Sequence, residues 1–459
     1  MRAPSAREEF PALRPGPDGA RPVYLDSACM SLVPRPVLRA MEEYYSDYPG
    51  CAGRSLHRFA EEVGRRYEGA RDAFARYLGR SDPRGVVFVR NATEAINLVG
   101  EGIRWKRGDR VLISDREHNS NLIVWQRLAA ERGIRIDVLP LSDGGEFDGD
   151  ELDRRLADGV RLVSLFHVSN LDGRTLPARE ICERSHDRGA WVLLDGCQAA
   201  PHRPIDADRI GVDFYAVSAH KMLGPTGTGV LAAAPGPLAE LRPLLTGGET
   251  VEWSTLDAHA LRPSPYRFEA GLQNYAGVIG AHAGVQYLER VGAEAIESTE
   301  RSVNDRVTRA LGDVERVKLL GPRDPRDRPS IFAFSLDGID PHDAAVFLDE
   351  GHRVMVRSGM HCVHSFYAAR GLPGNVRASF YLYNDADDAD ALVRGVEELL
   401  ARVPPGRSPS GTSAGTGSGR ARRAAGRPPV AGSKGAAARS ARLPRRAGRG
   451  RAGSAAGSG

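Results

Sequence analysis

Short apolar runs rich in β-branched residues alternate with helix-like segments between about Arg84 and Ala234. The six runs are Val86–Val89, Val111–Ser114, Leu162–Phe166, Trp191–Leu194, Phe214–Val217 and Gly229–Ala233. They are apolar continuously rather than at every second position, which is typical of strands covered by helices on both faces. The pattern therefore predicts an α/β fold with a mostly parallel sheet, whose functional groups cluster at the carboxyl ends of the strands.

The pattern changes after about Tyr287 and predicts a smaller C-terminal α/β domain. Its expected elements are a helix over Ala293–Leu311, a strand near Ser330–Ser335, strand and loop around Val354–His364, and a helix from about Asp385 to Val403. The predicted organisation is an N-terminal arm over residues 1–19, a large domain over 20–288, a small domain over 289–403 and a tail over 404–459.

Composition favours a globular protein of a reducing compartment. Of the 459 residues, 41% are hydrophobic, yet no apolar run reaches the roughly 20 residues of a membrane helix and the polar start lacks a signal-peptide core. We therefore expect a cytoplasmic protein without a membrane partner. The five cysteines form no CxxC pair, so neither a zinc ribbon nor a disulfide framework is predicted. They are Cys29, Cys51, Cys182, Cys197 and Cys362.

The net charge of +4 conceals a basic C-terminal segment. Arg407–Gly459 holds twelve Lys or Arg and no acidic residue, so the remainder carries 51 basic against 59 acidic residues. The segment is almost wholly Gly, Ala, Ser, Pro and Arg, which predicts a disordered tail. Such a tail either contacts nucleic acid or an acidic partner weakly, through salt-sensitive and sequence-independent contacts, or is a solvated appendage with no dedicated role.

The most informative stretch places Lys221 at the end of a strand, before the glycine-rich turn Gly224–Gly229. A lysine after a strand is usually a surface charge. A lysine held rigidly in this way can instead form a Schiff base with a carbonyl and later move protons. The small residues around it allow close backbone approach.

Upstream, the buried strand Trp191–Leu194 ends on Asp195, followed by Gln198. Taken alone, Asp195 is a helix cap or turn residue. Together with Lys221 it fits pyridoxal phosphate (PLP), because a carboxylate keeps the pyridine nitrogen of that cofactor protonated. Gln198 can hydrogen-bond the ring hydroxyl.

Two further segments follow strands and can complete such a site. Asn91–Asn97 opens a helix, so its backbone N–H groups and the Thr93 hydroxyl can hold a phosphate, or the segment is an ordinary cap. His118 lies just beyond the strand Val111–Ser114, where an imidazole can stack on a flat heteroaromatic ring. An isolated histidine is more often structural.

The four segments, in this order and spacing, resemble the cofactor site of class V aminotransferases of PLP fold type I. The resemblance runs from about Val23 to Val403 and implies a large domain with a mostly parallel mixed sheet plus the smaller domain. It implies Lys221 as the Schiff-base lysine, Asp195 on the pyridine nitrogen and His118 on the ring. It further implies Gln198 and Asn170 on the ring oxygen, and Thr93, Ser218 and His220 on the phosphate.

The C-terminal half resembles SufS-like cysteine desulfurases within this family. Arg357–His364 resembles the loop whose cysteine forms a persulfide, and Cys362 aligns with that cysteine. Its neighbours His361, His364 and Arg357 favour a thiolate, whereas a metal site would lack a fourth ligand. The resemblance implies Arg377 on the substrate carboxylate, with Asn170, Arg357 and Arg54 also contacting substrate. Leu272 stands where SufS-like enzymes usually carry a threonine that reaches the partner subunit's cofactor.

The resemblance implies conversion of L-cysteine to L-alanine, with sulfur passing to Cys362 for iron–sulfur cluster or thio-cofactor assembly. It also implies a homodimer and a small SufU- or SufE-like sulfur acceptor. A selenocysteine lyase acting on L-selenocysteine, a biosynthetic C–S lyase and an epimerase of the isopenicillin N type remain alternatives, because they share the cofactor residues. A non-enzymatic alternative is nucleic-acid binding through the tail.

Overall fold

The protein is described over residues 6–404 by a computed structural model. Residues 1–5 of the predicted arm and 405–459 of the predicted tail lie outside this description. The strands are β1 Val23–Tyr24, β2 Val86–Val89, β3 Arg110–Ser114, β4 Arg135–Leu139, β5 Val160–Phe166, β6 Trp191–Asp195, β7 Phe214–Ser218, β8 Gly229–Ala233, β9 Val251–Ser254, β10 His259–Leu261, β11 Val317–Leu320, β12 Ile331–Leu336, β13 Val354–Met355, β14 Arg357–Gly359 and β15 Asn375–Ser379.

Helices connect and cover these strands. They are α1 Arg35–Asp47, α2 Arg58–Tyr77, α3 Ala92–Gly102, α4 Ile123–Arg132, α5 Gly149–Leu156, α6 Ala178–His186, α7 Ala207–Ile210, α8 Pro235–Glu240, α9 Tyr275–Val291, α10 Ala293–Leu311, α11 Pro341–His352, α12 His364–Arg370 and α13 Ala386–Arg402. In the part of the chain that the structure describes, no helix has the length and apolar character needed to cross a membrane.

The larger sheet has seven strands in the order β2-β8-β7-β6-β5-β3-β4. Strands β3 to β7 run parallel, and β8 is antiparallel to its neighbours β7 and β2. This sheet confirms the predicted mostly parallel, mixed architecture. The six predicted strands are all present, whereas β4 at the sheet edge was not predicted.

Both faces of the larger sheet are buried, as the continuous apolar runs predicted. Alternate residues of one strand enter different cores: Val192 and Leu194 of β6 pack on the face covered by α2 and α9, and Leu193 packs on the face covered by α3 and α4. Because neither face meets water, polar chemistry is confined to the strand ends.

A second sheet has four antiparallel strands in the order β11-β12-β15-β14. Its core includes buried side chains of α10, α11 and α13. Near the start of the chain, β1 pairs in parallel with β13, and Val23 and Leu25 enter this second core. The N-terminal segment is therefore built into the C-terminal part of the fold, and the domain limits at 288 and 403 stay predictions.

Candidate active site

A cavity of about 340 Å³ lies at the carboxyl ends of the parallel strands. Its lining includes all the predicted site residues except Arg54. They are Thr93, His118, Asn170, Asp195, Gln198, Ser218, His220, Lys221, Arg357, Cys362 and Arg377. The volume falls within the range of small-molecule sites in proteins. The fold thus brings together residues that the sequence separates widely.

Lys221 ends a tight turn that follows β7. The turn is held from outside by Ser31, whose N–H donates to the carbonyl of His220 at 2.8 Å and whose hydroxyl accepts from the N–H of Leu223 at 2.8 Å. A Cβ on Gly224 would lie 2.9 Å from the carbonyl oxygen of Ala219, so this position requires glycine. The turn therefore fixes where the lysine enters the cavity.

Asp195 is the last residue of β6 and is 8% exposed. Its Oδ1 accepts from the N–H of Cys197 at 3.0 Å, which fixes the carboxylate at the strand end. The neighbouring Gln198 donates from Nε2 to the carbonyl of Ala28 at 2.7 Å. Burial raises the pKa of the Cys197 thiol to about 12, so this cysteine stays protonated.

The wall nearest the start of α3 is rich in hydroxyl groups. Asn91 caps the helix by accepting from the N–H of Glu94 at 3.0 Å, and Ser218 Oγ accepts from the N–H of Ala92 at 2.9 Å. Thr93 Oγ1 and Ser120 Oγ share a hydrogen bond of 2.7 Å. Hydroxyls beside a helix N-terminus form a site for an anion such as a phosphate.

His118 faces the same cavity as a neutral imidazole. Its Nδ1 accepts from the N–H of Ser120 at 3.1 Å. Burial, together with the charge of Lys221, lowers the pKa of His118 to about 4. Burial likewise lowers the pKa of His220 to about 4. Neutral rings avoid repelling the lysine and suit stacking on a heteroaromatic ring.

Glu117 lies behind His118 and was not identified from the sequence. It accepts hydrogen bonds from Ser114 Oγ at 2.6 Å and Asn121 Nδ2 at 2.8 Å. Burial raises its pKa to about 7. This buried network attaches the turn that carries His118 to the strand below it. Ser120 was also missed, although it stands only two residues from His118.

The loop that carries Cys362 adopts an unusual backbone. His361 and Cys362 have φ angles of 47° and 60°, in the left-handed region that disfavours side chains. The carbonyl of Cys362 accepts from the N–H of Asn119 at 2.7 Å, and the carbonyl of His361 accepts from Asn170 Nδ2 at 2.8 Å. These contacts hold a conformation that costs about 1–3 kcal/mol per residue.

Two arginines, Arg357 and Arg377, also line the cavity. Arg377 is 1% exposed, and it donates from Nη1 to the carbonyl of Asn170 at 2.8 Å and from Nη2 to Asp26 at 3.2 Å. Burial lowers the pKa of Arg377. Arg357 donates to the sulfur of Cys29 at 2.7 Å and to that of Cys362 at 3.5 Å. A buried guanidinium, that of Arg377, next to the half-buried guanidinium of Arg357 suits a carboxylate.

Arg54 lies away from the cavity. Its side chain is 58% exposed and forms an ion pair with Glu249. The structure of a single chain therefore does not bring it to the other predicted substrate-binding residues, and its role stays a prediction.

The residues present fit PLP. Among the described residues, Arg377 Nε and His361 Nδ1 are buried without a hydrogen-bond partner, and both residues line the cavity. A buried polar atom without a partner is costly unless a ligand satisfies it, whether it donates, as Arg377 Nε does, or accepts, as the Nδ1 of a neutral His361 does. Asp195, Lys221 and the hydroxyl wall supply a carboxylate, an amine and an anion site, the three groups that this cofactor requires. Within residues 6–404, no cluster of three or more His, Cys, Asp or Glu side chains suits a metal ion.

Comparisons with known proteins agree with this geometry. The family model described as Aminotransferase class-V matches residues 23–392. A probable cysteine desulfurase of Halobacterium salinarum is 38% identical, covering 87% of this chain and 97% of the relative.

Solved structures are similar over the same range. The apo cysteine desulfurase of Thermococcus onnurineus NA1 has a TM-score of 0.83 and 35% identity, covering 88% of this chain and 99% of that one. A C-DES variant with glycine covalently linked to the PLP cofactor has a TM-score of 0.73 and 25% identity, covering 84% and 98%. Together with the mixed sheet, these similarities confirm PLP fold type I. The chain belongs to the aminotransferase class-V family.

Proposed function

We propose that the protein is a PLP-dependent cysteine desulfurase that converts L-cysteine to L-alanine and keeps the sulfur on Cys362. The observation that carries this proposal is the presence of the Cys362 sulfur in the same cavity as Lys221. A thiol at this position gives the site an acceptor for sulfur that transamination alone does not need. Relatives that are 34–38% identical and named cysteine desulfurases support the choice.

The two arginines orient the substrate. Arg377, anchored by Asn170 and Asp26, offers a planar fork that binds a carboxylate through paired hydrogen bonds. Arg357 lies on the neighbouring strand and adds a second positive charge. Binding the carboxylate here directs the rest of the amino acid toward Lys221 and Cys362.

Lys221 carries out the proton transfers to and from the substrate. When bound, PLP supplies an electron sink that stabilises the negative charge left on the substrate Cα. Asp195 would hold the pyridine nitrogen through Oδ2, since its Oδ1 already accepts from the N–H of Cys197. Lys221 Nζ takes the proton from Cα and returns a proton to the substrate carbon. The neutral ring of His118 covers the site without adding positive charge.

Sulfur transfer follows at Cys362. Its thiolate attacks the substrate sulfur, the Cβ–S bond breaks and an S–S bond forms on the enzyme. The electron pair of the broken bond stays with the carbon, which takes up a proton and becomes the methyl group of alanine. The carbon gains two electrons and the two sulfurs of the persulfide lose one each, so no external oxidant is needed.

The test is the release of alanine and sulfide from L-cysteine in the presence of dithiothreitol. We expect Lys221→Ala to release neither product. Cys362→Ser should keep the yellow absorption of the lysine-bound cofactor and lose sulfide release. Cys51→Ser is the matched control, because Cys51 is half-buried and lies outside the cavity, and it should behave as the wild type.

Other results identify the alternatives. Sulfide release that survives Cys362→Ser indicates a C–S lyase, and inversion at Cα without sulfide indicates an epimerase. A far higher kcat/KM with L-selenocysteine than with L-cysteine indicates a selenocysteine lyase. A yellow wild type that forms none of these products contradicts the substrate assignment and leaves the family assignment intact.

We also propose a homodimer in which Arg54 reaches the cavity of the partner subunit. Support comes from exposed apolar side chains: Leu56 follows Arg54 two residues along the chain, and Leu245 and Leu272 line a common groove, with exposures of 93%, 54% and 67%. Contiguous exposed apolar surface commonly marks an interface. Co-expression of Arg54→Ala with Lys221→Ala tests the proposal, because one site of a mixed dimer contains both intact residues. Activity no higher than that of either parent contradicts it.

The sulfur acceptor proposed is a small SufU- or SufE-like cytoplasmic protein serving iron–sulfur or thio-cofactor assembly. The half-exposed Cys362 supports transfer to another protein.

Removal of the basic tail, Arg407–Gly459, tests whether the tail has a function separate from the enzyme activity. Alanine release should survive the deletion, and any affinity for a polyanion should fall and lose its salt dependence. Loss of alanine release would tie the tail to catalysis.

A further inference from the structure

A second thiol, that of Cys29, lines the cavity and has no part in the reaction described above. Arg357 donates from Nη1 to Cys29 Sγ at 2.7 Å and from Nη2 to Cys362 Sγ at 3.5 Å. One guanidinium thus joins both sulfurs, although Cys29 and Arg357 are 328 residues apart in sequence.

The backbone around Cys29 is held firmly in place. Its N–H donates to the carbonyl of Asp26 at 3.0 Å. The preceding residue, Ala28, donates to Ser379 Oγ at 2.9 Å and accepts from Gln198 Nε2 at 2.7 Å. Cys29 therefore lines the cavity from a segment attached both to β15 and to the turn that follows β6.

The other cysteines do not share this setting. Burial raises the pKa of Cys182 and of Cys197 to about 12, which keeps both thiols protonated. Cys51 lies outside the cavity. Cys29 is half-buried, and the next residue, Met30, is 42% exposed. Cys29 therefore lines the cavity without being fully shielded from solvent.

We propose that Cys29 is a second sulfur carrier, which takes the sulfane sulfur from the Cys362 persulfide and frees Cys362 for another turnover. This rests on the proposed desulfurase function. The Cys29 thiolate attacks the terminal sulfur, the S–S bond to Cys362 breaks and a new S–S bond forms on Cys29. Cys362 leaves as a thiolate. The sulfane sulfur keeps its oxidation state, so no oxidant or reductant is consumed.

The shared guanidinium suits this transfer. A guanidinium group keeps its positive charge in proteins. The two hydrogen bonds of Arg357 therefore stabilise negative charge on the Cys29 sulfur before the transfer and on the Cys362 sulfur after it. A persulfide also extends the Cys362 side chain by one S–S bond, about 2 Å, which shortens the path to Cys29. The transferred sulfur then lies next to the exposed Met30, where an acceptor protein has access.

Peptide mapping after turnover tests the relay directly. The holoenzyme is given L-cysteine without a reductant, alkylated, digested and analysed by mass spectrometry for added sulfur. We expect added sulfur on both the Cys29 and the Cys362 peptides of the wild type. Cys29→Ser should carry it on Cys362 alone, and Cys362→Ser should carry it on neither. The burst of alanine should be about twofold larger in the wild type than in Cys29→Ser.

Cys51→Ser is the matched control and should keep the labelling and the burst of the wild type. Added sulfur on Cys362 alone overturns the relay and leaves the desulfurase function standing. A Cys29–Cys362 disulfide formed with release of sulfide also overturns it, because the sulfur has then been lost rather than carried. Absence of both alanine and added sulfur overturns the relay and the proposed function together.

Discussion

Arg357 and Arg377 stand directly opposite each other on the antiparallel strands β14 and β15. Like charges in this register repel. Asp26 offsets part of the repulsion by accepting from Arg377 at 3.2 Å. A substrate carboxylate brings a further negative charge to the pair. Ligand binding and the stability of this sheet are therefore linked, and the arginines should act mainly on substrate affinity.

Arg377→Lys tests that role. Lysine keeps the charge and loses the planar fork that meets a carboxylate with two hydrogen bonds. We expect the KM for L-cysteine to rise about tenfold to a hundredfold, with a smaller change in kcat. Arg370→Lys is the control, because Arg370 is paired with Asp115 near the protein surface and should leave KM unchanged. A fall in kcat at constant KM would argue against carboxylate binding.

The buried pair Arg71 and Glu269 should be a major determinant of stability. Both side chains are 3% exposed, and Arg71 Nη1 and Nη2 donate to the two carboxylate oxygens at 2.8 and 3.0 Å. Arg71→Met leaves a buried charge without its partner, at a cost of about 3–5 kcal/mol in unfolding free energy.

Urea unfolding of the single and double variants measures this effect. The double variant Arg71→Met with Glu269→Leu removes both charges and should recover much of the lost stability. Equal destabilisation in the single and double variants would show that the pair contributes by packing alone.

His167 should make stability depend on pH. Its Nδ1 shares a hydrogen bond of 2.8 Å with the Tyr215 hydroxyl, and burial lowers its pKa from 6.5 to about 3. Between these values the unfolded chain binds a proton and the folded chain does not, so stability is present above pH 6.5 and is lost as the pH falls.

The substitution His167→Gln removes this titration. The difference in unfolding free energy between wild type and variant should therefore shrink by about 2 kcal/mol from pH 7.5 to pH 5.0. The matched control is His259→Gln, on the exposed end of β10. If the difference in unfolding free energy between wild type and His167→Gln stays constant with pH, a group other than His167 is responsible for the pH dependence.

Gly196 cannot carry a side chain without a shift of Tyr215. A Cβ at this position would lie 2.1 Å from Tyr215 Cε1. We expect Gly196→Ala to cost at least about 1–3 kcal/mol through overpacking and to displace Asp195 beside it. Gly236→Ala is the control, since a Cβ there meets nothing within 4 Å. Unfolding free energy and cofactor retention check the result, and the substitution Tyr215→Leu in the same chain should relieve the clash. Wild-type values for Gly196→Ala alone would contradict the close packing.

Much of the fold and most of the site could be predicted from the sequence because strands covered on both sides leave continuous apolar runs. The helices Ala293–Leu311 and Ala386–Arg402 were predicted to within one residue at each end. The edge strand β4 was missed, because its exposed and half-buried residues Arg135–Val138 interrupt the apolar run.

Contacts between distant segments were beyond sequence reasoning. The contribution of Cys29 depends on a fold that brings it to Arg357, and neither has a local pattern that points to the other. Glu117 looks like a solvated charge in the sequence and is 1% exposed in the structure. Arg54 is the opposite case. The family resemblance implies that it contacts substrate, but within a single chain it lies outside the cavity.

The hydrogen bond from Asn119 N–H to the carbonyl of Cys362 restricts how the Cys362 loop can move. It joins the loop that carries Cys362 to the turn that carries His118. The loop can therefore move outward on its own only if this backbone hydrogen bond breaks. We therefore expect a protein that collects sulfur to approach the cavity itself, where Cys29 and Cys362 lie, rather than to meet a loop that has moved outward.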